Sequence, residues 1–147
     1  MKHSLVYRVA ACLSFLFFAG HTAGTFAGRA PAPAAAPVLD AMKTVHFDFH
    51  GSTRTFYEIF FAFSLTFSLF LFLSAVAAWR MSSIDPQRSN GAKPLAWWLF
   101  VVELFIAGLA WNYFFVGPAL IATLATICLG IGALLISLAA ASTRAIE

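Results

Sequence analysis

Glu103 is the residue of this sequence best placed to do chemistry, because it stands alone in an apolar run, VVELF. At about 1.5 Å of helical rise per residue it would lie roughly 12 Å inside a predicted membrane span. An ionised carboxylate at that depth is costly, so it must face the bundle or water, pair with another group, or stay protonated. Two hypotheses are open: a proton-coupled or ligand-binding carboxylate, and a neutral acid hydrogen-bonded to a neighbouring Ser, Thr or Trp.

Three other polar residues are ligand or proton candidates, namely Glu58, His21 and Asn112. Thr55 and Glu58 have the spacing of a capping box, in which each side chain satisfies a free amide of the first helical turn, and this accounts for Glu58 without a further role. His21 lies near the outer end of the first apolar segment. A lone His is more commonly a packing residue than a ligand, but Glu58, Asn112 and Tyr113 are expected at a similar depth.

A third group, His46, Asp48 and His50, has residue types that bind Zn or Cu. In a strand all three share one face, and in a helix the two His residues do. A metal site needs more committed ligands than one loop provides, so an interfacial loop with Phe anchors is favoured. No cofactor is predicted, and the motifs of hydrolases, kinases and dinucleotide-binding proteins are absent from the sequence.

The composition places these residues in a membrane protein. Of the 147 residues, 61% are hydrophobic and 10% are charged, whereas soluble domains have about 45–50% apolar and roughly 25% charged residues. The mean hydropathy is +0.86. We predict an all-α transmembrane four-helix bundle, with an outer loop at 28–54, a cytoplasmic loop at 80–93, and spans at about 5–26, 56–79, 95–115 and 119–140.

The first segment has two interpretations. A basic start, an apolar middle and a small-residue end also describe a cleaved secretory signal, which would leave three spans; a retained helix is favoured because the segment is long enough to cross a bilayer. Both interpretations give the same orientation for the remaining helices, N-in and C-in. Six basic residues then lie inside (Lys2, Arg8, Arg80, Arg88, Lys93, Arg144) and three outside (Arg29, Lys43, Arg54).

Two of the connections between spans have sequence patterns that predict their structure. The Pro- and Ala-rich stretch from Arg29 to Pro37 is predicted to be extended. After it, Val38, Met42, Val45 and Phe49 recur at helical spacing and predict a short helix on the membrane surface. Gly117-Pro118 is predicted to turn the chain directly into the last span, which makes the third and fourth spans antiparallel neighbours.

Small residues are expected to bring the helices together, because hydrophobicity cannot drive helix association within lipid. The stripes are Ala122, Thr126, Gly130, Ala133 and Ser137 on the fourth span, Glu103, Ala107 and Trp111 on the third, and Ala62, Ser64, Ser68 and Ser74 on the second. Cys12 and Cys128 are interpreted as packing residues. The net charge of +3 is explained by the cytoplasmic flanks of the spans, and no basic, aromatic-rich run predicts nucleic-acid binding.

Several segments are similar to a family of small bacterial four-helix membrane proteins of unknown function. They are GHTAG in the first span, HGSTRTFYEIFFAFSLTFS and AAW in the second, and WNYFFVGPA between the third and fourth. Family members tend to have glycine at the positions of Ala62 and Ser64, and an acid at that of Glu58. The resemblance implies a fold and a multi-pass location in the bacterial inner membrane, but not a reaction.

Three functions remain open on the sequence. The leading one is a non-enzymatic accessory or binding bundle, with membrane lipid and a homo-oligomer or membrane-protein partner. The second is a small proton-coupled transporter that uses Glu103. The third is an enzyme on lipid-soluble substrates with His21, Glu58 and Glu103 as acid and base groups, which requires those side chains within hydrogen-bond reach.

Overall fold

The computed structural model describes residues 2–28, 32–85 and 91–144. Four of its helices are long and apolar enough to cross a membrane, which confirms the predicted all-α fold with four spans. The elements in chain order are α1 (Lys2–Ala27), α2 (Ala36–Thr44), β1 (His46–Phe49), β2 (Ser52–Thr55), α3 (Phe56–Met81), α4 (Ala92–Tyr113) and α5 (Val116–Arg144).

The connection between α4 and α5 is placed differently from the prediction. Helix α4 ends at Tyr113 and α5 begins at Val116, so the chain turns at Phe114 and Phe115 rather than at Gly117-Pro118. Pro118 lies in the first turn of α5, where its missing N–H costs no helical hydrogen bond.

The prediction of a surface helix that includes Val45 and Phe49 is wrong. Helix α2 ends at Thr44, and an antiparallel hairpin follows in which His46 pairs with Thr55 and Phe49 with Ser52. His50 and Gly51 have φ of 50° and 81°, as a tight two-residue hairpin turn requires. The predicted extended stretch is also partly wrong, because a turn forms at 33–35 and Ala36 and Pro37 are the first two residues of α2. Its residues 29–31, like Arg88 in the next loop, lie outside the described residues.

The chain divides into two compact units, unit 1 (Met1–Phe18 and Leu71–Glu147) and unit 2 (Ala19–Phe70). Unit 1 contains parts of all four long helices, and its core is rich in alanine. Since small side chains let helices approach closely, this core fits a tightly packed membrane bundle. Its buried members are Tyr7, Ala10, Ala11, Ala78, Met81, Ala92, Ala96, Leu129, Ala133 and Ile136.

Within unit 1, α4 and α5 are antiparallel neighbours, as predicted. The indole N–H of Trp97 donates to Ser137 Oγ at 3.1 Å, and that of Trp111 donates to Thr123 Oγ1 at 2.9 Å. The small-residue stripe on α5 is confirmed at Ala122, Thr126 and Ala133, which are buried. On α4 the stripe is confirmed at Glu103 and Ala107 but not at Trp111, which is exposed.

Unit 2 joins the end of α1 and the start of α3 with α2 and the hairpin. Phe47 of β1 stacks on Phe56 at the start of α3, with ring centroids 4.4 Å apart. Phe26 of α1 meets Phe61 of α3 edge to face at 5.6 Å. On the predicted small-residue face of α3, Ser68 is buried whereas Ala62 is exposed.

Large apolar side chains cover the outer surface of the long helices. Phe63, Leu69, Phe105 and Leu138 are each about two-thirds exposed or more. Such exposure is unfavourable in water and favourable in lipid, so the side chains support the assignment of a multi-pass membrane protein.

Candidate functional site

Glu103 lies in the interior of unit 1, with 0% of its surface exposed. Its Oε2 accepts a hydrogen bond of 3.2 Å from the hydroxyl of Ser74 in α3. The same face of α4 carries the buried alanines Ala96, Ala107 and Ala110. These small residues allow neighbouring helices to pack around the acid, and they account for its complete enclosure.

Ser14 of α1 lies at the level of Ser74. The His3 ring nitrogen Nε2 is 3.2 Å from the carbonyl oxygen of Ile84, and the Arg8 guanidinium lies 5.7 Å from the Trp79 ring centroid. These contacts show that α1 and α3 run antiparallel, with Arg8 beside Trp79. Ser14 follows Arg8 by six residues, and Ser74 precedes Trp79 by five. At about 1.5 Å of rise per residue, Ser14 and Ser74 therefore lie within one helical turn of the same depth.

Helix α5 contributes Thr126 to this region. Two contacts between the antiparallel helices α4 and α5 show where Thr126 lies. The Phe100 ring packs against Gly130, and the Trp111 indole donates to Thr123. Since Glu103 lies between Phe100 and Trp111, and Thr126 between Thr123 and Gly130, the two residues lie at about the same depth. Each of the four long helices thus places one buried polar residue in what we call the polar layer, namely Ser14, Ser74, Glu103 and Thr126.

Two atoms of the polar layer have no hydrogen-bond partner among the described residues, Oε1 of Glu103 and Oγ of Ser14. Thr126, in contrast, donates to the carbonyl oxygen of Ala122 within its own helix. A buried polar atom without a partner is uncommon and costs free energy. Sequence reasoning missed Ser14, because a single serine within an apolar helix is not distinctive until the facing helices are known.

Tyr7 is a second group that the sequence did not single out. It is fully buried, and its hydroxyl has no hydrogen-bond partner among the described residues. Its ring lies against the backbone of Gly132, where an added Cβ would come within 2.7 Å of the ring. The contact joins α1 to α5 through a residue that has no side chain, and its role is packing.

His21 belongs to unit 2, where its Nδ1 lies 3.0 Å from Ser68 Oγ. Ser68 in turn donates to the carbonyl oxygen of Ser64 at 3.2 Å. A hydroxyl has one proton to donate, so if Ser68 donates it to the Ser64 carbonyl, the His21 ring donates Nδ1–H to Ser68. The His21 ring also meets Phe67 edge to face at 5.0 Å. The geometry is that of a hydrogen-bonded packing histidine.

Glu58 forms the predicted capping box. The Thr55 amide donates to Glu58 Oε2 at 2.8 Å, and the Glu58 amide donates to Thr55 Oγ1 at 3.2 Å. Glu58 also lines an open groove of about 360 Å³ beside the hairpin. The other residues that line this groove are Phe49, Arg54, Ile59, Ala62, Phe63 and Thr66.

The three metal candidates of the loop are not assembled into a site. His46 Nδ1 lies 2.8 Å from the carbonyl oxygen of Thr44, and His50 falls in the hairpin turn instead of on the strand. Within residues 2–28, 32–85 and 91–144, no group of three His, Cys, Asp or Glu side chains could hold a metal ion.

Asn112 is exposed and bonds its own helix, since its Nδ2 donates to the carbonyl oxygen of Gly108 at 2.7 Å. Cys12 is exposed, Cys128 is half-buried, and both are free thiols. Neither Asn112 nor the cysteines therefore belong to the polar layer.

No protein-family model, curated protein or solved structure matches this chain. The three acid and base groups each bond a partner in their own unit, Glu103 with Ser74, Glu58 with Thr55 and His21 with Ser68. This arrangement favours roles in helix packing and capping for all three groups.

Proposed function

We propose that this chain is a non-enzymatic membrane bundle that acts as an accessory or binding subunit. The observation that carries the proposal is the complete enclosure of Glu103, whose Oε2 is bonded to Ser74 and whose helix packs through alanines. A carboxyl group held this way works as an interior hydrogen-bond acceptor between α3 and α4. Its surroundings in the polar layer are the hydroxyl groups of Ser14, Ser74 and Thr126, and its own helix adds buried alanines.

The outer surface supports a role in binding. Exposed aromatic and aliphatic side chains such as Phe72, Phe105 and Leu138 offer apolar contact to lipid or to another membrane helix. Van der Waals packing is one of the forces that drive helix association in a bilayer. The partner classes we propose are membrane lipid and a second copy or other membrane protein.

The proposed location is the bacterial inner membrane, with both termini inside. The support is the resemblance of segments such as WNYFFVGPA to small bacterial membrane proteins and the distribution of basic residues between the loops.

A proton-coupled transporter is the second candidate, and one observation favours it. Oε1 of Glu103 and Oγ of Ser14 are both buried and without partners among the described residues, and they lie at a similar depth. A proton or a water molecule between them would satisfy both groups. Transport also needs access from each side, whereas the side chain of Glu103 has no exposed surface.

Proton flux through reconstituted liposomes distinguishes the two candidates. A pH-sensitive dye inside the vesicles follows the decay of an imposed pH gradient for the native chain, for Glu103→Gln and for Glu58→Gln as a control outside the polar layer. We expect all three to match protein-free vesicles. A flux that Glu103→Gln abolishes and Glu58→Gln retains would replace the binding bundle with the transporter.

A further inference from the structure

A groove on the outer surface of unit 1 runs between α1 and α3. Its volume is about 330 Å³, and it is open to the surface. The floor consists of Ala11 and Ala75, which are buried, whereas the walls are exposed side chains. The lining residues are Ala11, Cys12 and Phe15 of α1 and Phe72, Ala75, Val76 and Trp79 of α3.

The shape of this groove follows from its sequence. Alanines on the floor allow the two helices to lie close together, and the aromatic rings of Phe15, Phe72 and Trp79 form the walls. The lining is almost entirely hydrocarbon. In a membrane such a groove fits a flexible chain of methylene groups.

A cation lies at one end of the groove. The guanidinium of Arg8 is 5.7 Å from the centroid of the Trp79 ring, and Arg8 precedes Ala11 by about one helical turn. Arg80, which follows Trp79, is also exposed. A guanidinium over an indole face keeps donor groups free for an anion, and Arg binds phosphate oxygens in a bidentate manner.

We propose that this groove binds an anionic phospholipid, with one acyl chain between α1 and α3 and the phosphate group on Arg8. Apolar walls that end at a guanidinium match a molecule whose hydrocarbon chain ends at a negatively charged head group. The inference rests on the binding role of the proposed function and names the class of membrane lipid that the bundle binds, and it does not depend on the role of Glu103.

Trp79 provides the measurement, because bromine atoms on a lipid acyl chain quench an indole that they touch. The test variant keeps Trp79 and replaces Trp97, Trp98 and Trp111 with Phe. It is reconstituted in mixtures of phosphatidylglycerol and phosphatidylcholine in which either lipid alone carries bromine. A basic residue near the membrane surface contributes about 1 kcal/mol toward anionic lipid, so we expect a preference of roughly fivefold for phosphatidylglycerol at Trp79.

Trp98 is the matched control for position. It is 68% exposed on α4, and the Ser74–Glu103 hydrogen bond places it at about the depth of Trp79. A variant that keeps only Trp98 should show little preference between the two lipids. Equal preference at Trp98 and Trp79 would overturn the proposal, because it would show attraction to the whole basic surface.

Arg8→Gln is the decisive variant, with Lys93→Gln as the control for loss of one positive charge at an exposed site. Arg8→Gln should remove the preference at Trp79, whereas Arg8→Lys and Lys93→Gln should retain most of it. Preference that persists in Arg8→Gln overturns the proposal. So does weak quenching by both lipids that rises when the protein is diluted in the bilayer, since a second copy would then occupy the groove.

Discussion

The hydroxyl of Ser74 in α3 lies 3.2 Å from Oε2 of Glu103 in α4, at a point where both side chains are buried. In a membrane, hydrogen bonds between helices contribute about 0.6 kcal/mol on average and rarely more than about 1.7 kcal/mol. The bond therefore specifies which faces of α3 and α4 meet more than it determines the total stability.

Substitutions at Glu103 should separate the contribution of its side-chain volume from that of its acidic proton. Glu103→Gln retains an acceptor for Ser74 and a similar volume, so we expect a loss of less than about 1 kcal/mol. Glu103→Ala removes the acceptor and leaves a cavity, and we expect a loss of about 2–3 kcal/mol. The free energy of unfolding in mixed micelles measures both. A Gln variant as unstable as the Ala variant would contradict a neutral hydrogen-bonding role.

Gly132→Ala should destabilise the contact between α1 and α5. The new Cβ would come within 2.7 Å of the buried ring of Tyr7, and overpacking of this kind typically costs about 1–3 kcal/mol. Gly108→Ala is the control, since among the described residues no atom beyond its chain neighbours and its own helical backbone lies within 4 Å of an added Cβ. Thermal unfolding of the two variants should differ, with Gly108→Ala as stable as the native chain or more so. Equal losses at both glycines would rule out the Tyr7 contact as the cause.

The capping box should stabilise the start of α3 locally. Thr55→Val and Glu58→Ala each remove one side of a reciprocal pair, so each should cost about 1 kcal/mol. Hydrogen exchange at the amides of Thr55 and Glu58 measures the effect. Thr66→Val is the control, because its hydroxyl bonds a carbonyl of the same helix at Ala62. Unchanged exchange in the first turn of α3 would show that the cap is not formed.

The tautomer of His21 is a further testable feature. If Ser68 donates to the Ser64 carbonyl, the neutral His21 ring carries its proton on Nδ1. Nitrogen chemical shifts of labelled His21 should show this tautomer in the native chain and its loss, or a mixture, in Ser68→Ala. A native ring protonated on Nε2 alone would mean that Ser68 donates to His21 instead.

The spans and the helix cap could be predicted from sequence because each depends on local information. A run of apolar residues from Phe56 to Trp79 has one dominant interpretation, and Thr55 and Glu58 interact across three positions. The hairpin could not be distinguished from a continuation of the surface helix by local sequence alone. Val38, Met42, Val45 and Phe49 have helical spacing, yet the His50-Gly51 turn lets the strands pair and excludes Val45 and Phe49 from α2.

The polar layer depends on how the helices are rotated against one another, which no single helix specifies. Glu103 was evident as an isolated acid, but its partner among many serines was not. Tyr7 is buried where α1 faces Gly132 of α5, and Ser14 lies on a buried face of the same helix. The contacts of Gly130 and Gly132 with aromatic rings likewise arise from the packing of facing helices.

The measurement that tests the central claim most directly is carboxyl infrared difference spectroscopy of the protein in bilayers, with native chain and Glu103→Gln compared. The claim is that Glu103 is an enclosed, neutral hydrogen-bond acceptor. It predicts a protonated carboxyl band, missing from Glu103→Gln, that stays constant between about pH 6 and 8. A band that disappears within that range and shifts when ligand is added would contradict the claim and make Glu103 a proton or ligand site.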